Sequence, residues 1–153
     1  MKKETGELLE ILKRSPDLSA YMKIASDDIT TPVSVSVYLR RLMEEKGLEK
    51  KQVIHASGLE RKYGYEILGD SCRKKPSRDK VLALCFAMQL TGDEVQELLK
   101  RTDYLQLYPK YERDSIIFFG FSHGLSLEEV NDLLYEMHYP VIDSDSRDSE
   151  KAE

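Results

Sequence analysis

No apolar run in this 153-residue chain approaches the ~18 residues of a membrane span, so no membrane association is expected. The opening MKKETGELLE lacks an uninterrupted apolar stretch and a small-residue cleavage site, which argues against a secretory signal and for a cytoplasmic protein. Cysteine is scarce: Cys72 and Cys85 are 13 residues apart with no metal-ligand neighbours, a pattern of reduced thiols rather than a disulfide framework. His55, His123 and His138 fall in no HExxH or Cys/His cluster, and no GxxxxGK[ST] or GxSxG sequence occurs. The acidic pairs Asp27-Asp28, Glu44-Glu45 and Glu128-Glu129 read as linker or helix-surface charge. The expectation is a non-enzymatic protein with no catalytic residues, no metal and no cofactor.

What is present is an ordinary globular composition, 41% hydrophobic and 33% charged, with a net charge of -5. That average conceals an asymmetry. Residues 34–80 carry twelve Lys/Arg against seven Asp/Glu, a balance of +5, while the remainder carries eleven against twenty-one, a balance of -10. Attraction to phosphate depends on charge at the contact face, because distant charge is screened over ~8 Å at physiological salt. Global acidity therefore does not exclude a nucleic-acid partner.

The apolar spacing predicts an all-α chain. Leu8, Leu9, Ile11 and Leu12 make an amphipathic helix over 5–14, stopped at Ser15-Pro16, and Asp17 can cap a second, turn-rich segment carrying Leu18, Tyr21, Met22 and Ile24, which runs into the linker SDDITTP. A stronger helix covers 34–46, with Val37, Leu39, Leu42 and Met43 inward and Gly47 at its end; Pro32 favours helix over strand for the VSVSV run. Helices follow at 49–56, 60–68, 78–89, 92–102, 113–122 and 127–137. This divides the chain into an N-terminal helical segment and linker (1–32), a central domain (33–105), a C-terminal helical hairpin (106–142) and an acidic tail (143–153) expected to be disordered.

Residues 78–104 align without a gap to residues 113–139, offset by 35, and each copy carries a capping box, Thr91…Glu94 and Ser126…Glu129. A peptide-binding solenoid is one reading. Two copies fall short of the roughly three repeats such arrays need, so a duplicated hairpin that extends the core is the favoured one. Nine tyrosines, among them Tyr104, Tyr108, Tyr111, Tyr135 and Tyr139, suit core or interface positions better than a stacking platform for single strands.

The central segment carries the functional signal. Gly58 can supply a left-handed turn between two short helices, flanked inside by Val53 and Leu59, with Ile67 near the same face. Arg61, Lys62, Tyr65 and Glu66 then fall on the outward side of the second helix. In a helix-turn-helix that helix enters the major groove, making these four the candidate base contacts. Lys50, Lys51, Arg73, Lys74, Lys75 and Arg78 are the candidate phosphate contacts, which set orientation and affinity rather than sequence preference.

The stretch from Ser36 to Leu99 resembles the Cro/phage-repressor (XRE) family of bacterial and phage-like helix-turn-helix regulators. The likeness rests on the opening LRRLMEEKGL, the turn SGL, Ile67, a Pro-Ser pair before a helix, and the ending LALCFAMQLTGDEVQELL. Residues 107–137 further resemble a C-terminal extension found in a subgroup of such regulators. The resemblance implies a lambda-repressor-like domain extended by N-terminal helices and a C-terminal hairpin, sequence-specific binding to double-stranded DNA, and transcriptional regulation by a homodimer. It also departs from the family's pattern. Glu49-Lys50 stands where Ser/Thr-Gln is usual, Ile54 where a small residue is usual, and Gly64 where Ile or Val is usual; the loop 67–76 is about two residues longer. Glycine at 64 is expected to cost ~1 kcal/mol of helix propensity and to leave a hole in the inner face. The rival reading is an interaction adaptor on a degenerate helix-turn-helix. There a protein partner would meet the C-terminal hairpin, whose Ile116, Ile117, Phe118, Phe119 and Phe121 form a candidate partner or dimer surface.

Overall fold

The computed structural model describes residues 3–28, 31–70 and 74–143; Cys72, Arg73 and the tail from 144 onward lie outside the described residues. Among the described residues the chain is all-α, with nine helices and no strand, in two compact units, Met1–Pro32 and Val33–Glu153. None of these helices is long and apolar enough to cross a membrane.

The first unit holds α1 (Thr5–Arg14) and α2 (Leu18–Ala25), packed on each other. Asp17 caps α2 by accepting from the Ala20 N–H at 2.8 Å. Ala25 is the one buried residue of its two helices, while Leu9, Leu12, Leu18, Met22 and Ile24 stay exposed.

The second unit opens with α3 (Val35–Lys46). Its inward residues are Val35, Ser36, Leu39 and Met43; the start of the stripe falls on Val35 rather than the expected Val37, which is half-buried. Gly47 takes the left-handed conformation (φ 67°), and the Leu48 N–H reaches the Met43 carbonyl at 2.8 Å, closing the helix as a Schellman motif. The buried Ser36 hydroxyl donates to the Ile67 carbonyl, and Arg40 pairs with Asp70, so α3 is fastened to the segment 67–70. Then come α4 (Lys50–Ser57), α5 (Arg61–Ile67), α6 (Arg78–Ala87), α7 (Gly92–Arg101), α8 (Glu112–Ser122) and α9 (Leu127–Glu136). Helix α6 is the centre of the core. Every residue from Lys80 to Phe86 is buried, because α4 and α9 both pack against it.

The duplication at offset 35 is structural. Both capping boxes form, at Thr91/Glu94 and Ser126/Glu129. Each second helix holds the chain that follows it with a side-chain amide. Gln96 bonds both backbone groups of Leu107 (2.8 and 2.7 Å), and Asn131 does the same for Ile142 (3.1 and 2.8 Å). Leu107 and Ile142 are themselves 35 apart and both buried, so the repeat runs to 107 and 142.

The two copies meet reciprocally. Arg78 of the first binds Asp114 of the second at 2.6 Å, and Arg113 of the second binds Asp79 of the first at 3.0 Å. The matched residues Phe86 and Phe121 stack on each other, ring centroids 3.8 Å apart. Helix α6 packs on α9 as α8 packs on α7. Such exchange is the signature of an isologous, two-fold-like pairing, here within one chain. A solenoid would instead stack successive copies head to tail. The pairing also accounts for most of the expected apolar surface of the C-terminal hairpin. Ile116, Ile117 and Phe121 are buried and Phe118 half-buried, which leaves Phe119 exposed.

Candidate nucleic-acid interface

The link between α4 and α5 is built by four consecutive residues. Gly58 carries the left-handed turn (φ 75°, ψ 4°), a conformation that costs a β-carbon-bearing residue energy. Ser57, fully buried, donates its hydroxyl to the Ile54 carbonyl at 2.6 Å and accepts the Leu59 N–H at 3.2 Å. Leu59 points into the core, and the Glu60 carboxylate caps α5 by accepting the Lys62 N–H at 2.9 Å. Val53, Ile54, Leu59 and Ile67 are all buried, which locks α4 against α5 and fixes the outer face of α5.

That face carries Arg61, Lys62, Tyr65 and Glu66, all exposed. The Arg61 guanidinium stands 6.0 Å from the centre of the Tyr65 ring, a spacing at which the ring face attracts the cation. Lys50 and Lys51 sit exposed in the first turn of α4. Among the described residues, the ion pairs of this unit lie elsewhere: Arg40–Asp70, Lys46–Glu94, Lys75–Asp103, Arg78–Asp114, Arg101–Glu97 and Arg113–Asp79. The cations of α4 and α5 are thus outside every one of them.

A cleft of about 380 Å³ separates the outer edges of α4 and α5, with Ile54 and Leu59 among its walls and Lys51, His55, Arg61 and Tyr65 around it. Among the described residues, no carboxylate lines it. His55 is an addition to the residues expected from sequence. It lies four residues after Lys51, so i,i+4 spacing on α4 was the available signal.

The phosphate-contact set divides. Lys50 and Lys51 flank the helix pair, and Lys74 is exposed. Lys75 is occupied otherwise, donating to the Asp103 carbonyl at 2.6 Å and lying 4.3 Å from the centre of the Tyr104 ring. Arg78 is drawn into the pairing of the two repeats. Its guanidinium binds both Asp114 carboxylate oxygens and the carbonyls of Leu105 and Gln106, so it is engaged within the fold. Arg73 lies outside the described residues.

The expected hole beside Gly64 is absent. Gly64 is buried, and a β-carbon there would meet Ile54 Cγ2 at 2.6 Å and Cγ1 at 2.9 Å. Ile54 and Gly64 therefore occupy one site, the larger residue on α4 filling the space left on α5. Compared with protein-family models, curated proteins and solved structures, the chain matches none.

Proposed function

We propose that the protein binds duplex DNA through α4 and α5, as a lambda-repressor-like helix-turn-helix regulator of transcription. The observation that carries this reading is the rigid α4–Gly58–α5 corner with Arg61, Lys62, Tyr65 and Glu66 all on its exposed face. Helix α5 enters the major groove. Arg61 and Lys62 donate to guanine O6 and N7, and Glu66 accepts from a cytosine amino group. Lys50 and Lys51 meet the phosphates beside the groove, and counterion release there gives affinity despite the net charge of -5. Two copies binding adjacent half-sites is the arrangement this motif favours.

Selection of bound fragments from genomic DNA tests the reading. The wild type should enrich one sequence pattern, and the double variant Arg61→Ala/Lys62→Ala should enrich none. A wild type that enriches nothing refutes it, and would favour the adaptor reading, in which the same corner is only a scaffold.

A further inference from the structure

We infer that the cleft between α4 and α5 is a binding site for a small amphipathic anion, a phosphate or carboxylate carried on a flat apolar body. The inference stands on the cleft itself, whether or not the chain binds DNA.

Two kinds of surface meet there. Ile54 and Leu59, 3% and 6% exposed, wall its buried side, with the turn at Gly58 joining the two helices. Lys51, His55, Arg61 and Tyr65 are exposed and line its outer side. Lys51 and His55 stand one turn apart on α4, and Arg61 and Tyr65 one turn apart on α5, so each helix contributes one edge.

The charge lies on the cleft. Lys51, His55 and Arg61 are in none of the ion pairs among the described residues, and no carboxylate lines the cavity. The neighbouring Glu60 carboxylate accepts the Lys62 N–H at 2.9 Å and is not among its walls.

Each half selects part of the ligand. Uncompensated cations attract an oxyanion, and the planar guanidinium of Arg61 can hold two oxygens of a carboxylate or phosphate. Lys51 adds an ammonium, and His55 an N–H that an imidazole offers in either charge state. The apolar wall beside them gives nothing to a bare phosphate, but gains energy by covering a hydrocarbon or aromatic body. The Tyr65 ring, with Arg61 6.0 Å from its centre, offers a flat face for stacking. The volume of about 380 Å³ falls within the roughly 300–1,000 Å³ of small-molecule sites.

The probe is 1-naphthyl phosphate, which carries both halves of this chemistry; inorganic phosphate and 1-naphthol carry one half each. Calorimetric titration of the full chain should show saturable binding of 1-naphthyl phosphate, about tenfold or more tighter than either half. Lys51→Ala/Arg61→Ala should weaken it about tenfold or more. Lys100→Ala/Lys110→Ala removes the same charge from exposed positions elsewhere and should leave binding within about twofold. The two cleft side chains are exposed, so their variant should keep the wild-type melting temperature; if it does not, Lys51→Gln/Arg61→Gln replaces it. No saturation up to ~10 mM ligand, or equal effects of the two double variants, overturns the proposal. So does inorganic phosphate binding as tightly, which would leave only a phosphate contact such as a DNA backbone makes, or 1-naphthol doing so. Lys51 and Arg61 are also the proposed DNA contacts, but this ligand is measured without DNA, so either reading can fail while the other stands.

Discussion

Ile54 fills the space that a side chain on Gly64 would need: three of its atoms, Cγ2, Cγ1 and Cβ, lie 2.6, 2.9 and 3.3 Å from where the β-carbon would stand. These belong to the stiff, branched root of the side chain and have little freedom to withdraw. Close packing of α4 on α5, and with it the aim of the outer face of α5, depends on this exchange of volume.

Gly64→Val should therefore destabilise by about 1–3 kcal/mol through overpacking, despite the better helix propensity of valine. Ile54→Ala should cost about 2–5 kcal/mol through the cavity it leaves. The double variant Ile54→Ala/Gly64→Val should cost clearly less than the sum, with a coupling of at least about 1 kcal/mol in urea unfolding. Additive costs would mean that the two residues do not share a site.

The two Arg-Asp pairs across the repeats are unequal. Side-chain exposure is 24% and 7% for Arg78 and Asp114, but 22% for both Arg113 and Asp79. Asp114 also accepts the Tyr108 N–H at 2.9 Å. Arg78→Ala strands the more buried carboxylate and should cost about 3 kcal/mol, more than Arg113→Ala. The comparison of the two single variants by thermal or denaturant unfolding checks the order.

Glu94 links the α7 capping box to α3. Its carboxylate accepts the Thr91 N–H at 2.9 Å and pairs with Lys46 at 3.0 Å. The Thr91 backbone bond first, and Lys46 next, hold its pKa below the ordinary 4.5. A carboxyl whose folded pKa is depressed contributes stability that is present above its unfolded pKa and lost as pH falls through the folded one. The stability lead of wild type over Glu94→Gln should be full at neutral pH and shrink from about pH 5 downward. A pH-independent lead would contradict the assignment.

Cys85 is fully buried on α6, and burial pushes its thiol pKa far up. The thiolate is the reactive form, so a thiol reagent should modify Cys85 only at the rate at which the core opens. Cys72→Ser removes the other thiol for this measurement. Rapid labelling of the native variant would contradict the packing of α6.

Local features were legible in the sequence because they depend on neighbours. The Asp17 cap, the Gly47 and Gly58 turns and both capping boxes each involve residues within a few positions. The buried face around Val53, Leu59 and Ile67 followed from spacing. The repeat was visible too, but its mode of contact was not, since Arg78 meets Asp114 across 36 residues and a repeated Arg-Asp gives no sign of which copy it faces. The same distance problem hid the fate of Arg78, which read as one more cation beside the groove. Ile54 and Gly64 looked like two faults when taken singly. Only the packing of α4 on α5 shows that they compensate.

Whether the outer face of α5 reads DNA is decided by equilibrium titration of the enriched fragment against a scrambled one. Arg61→Ala should lose about 1–3 kcal/mol of discrimination between the two fragments. Lys50→Ala/Lys51→Ala should instead weaken binding to both fragments alike, and lower the salt slope by about 0.9 for each phosphate no longer neutralised. Discrimination unchanged by Arg61→Ala and Lys62→Ala would contradict the claim.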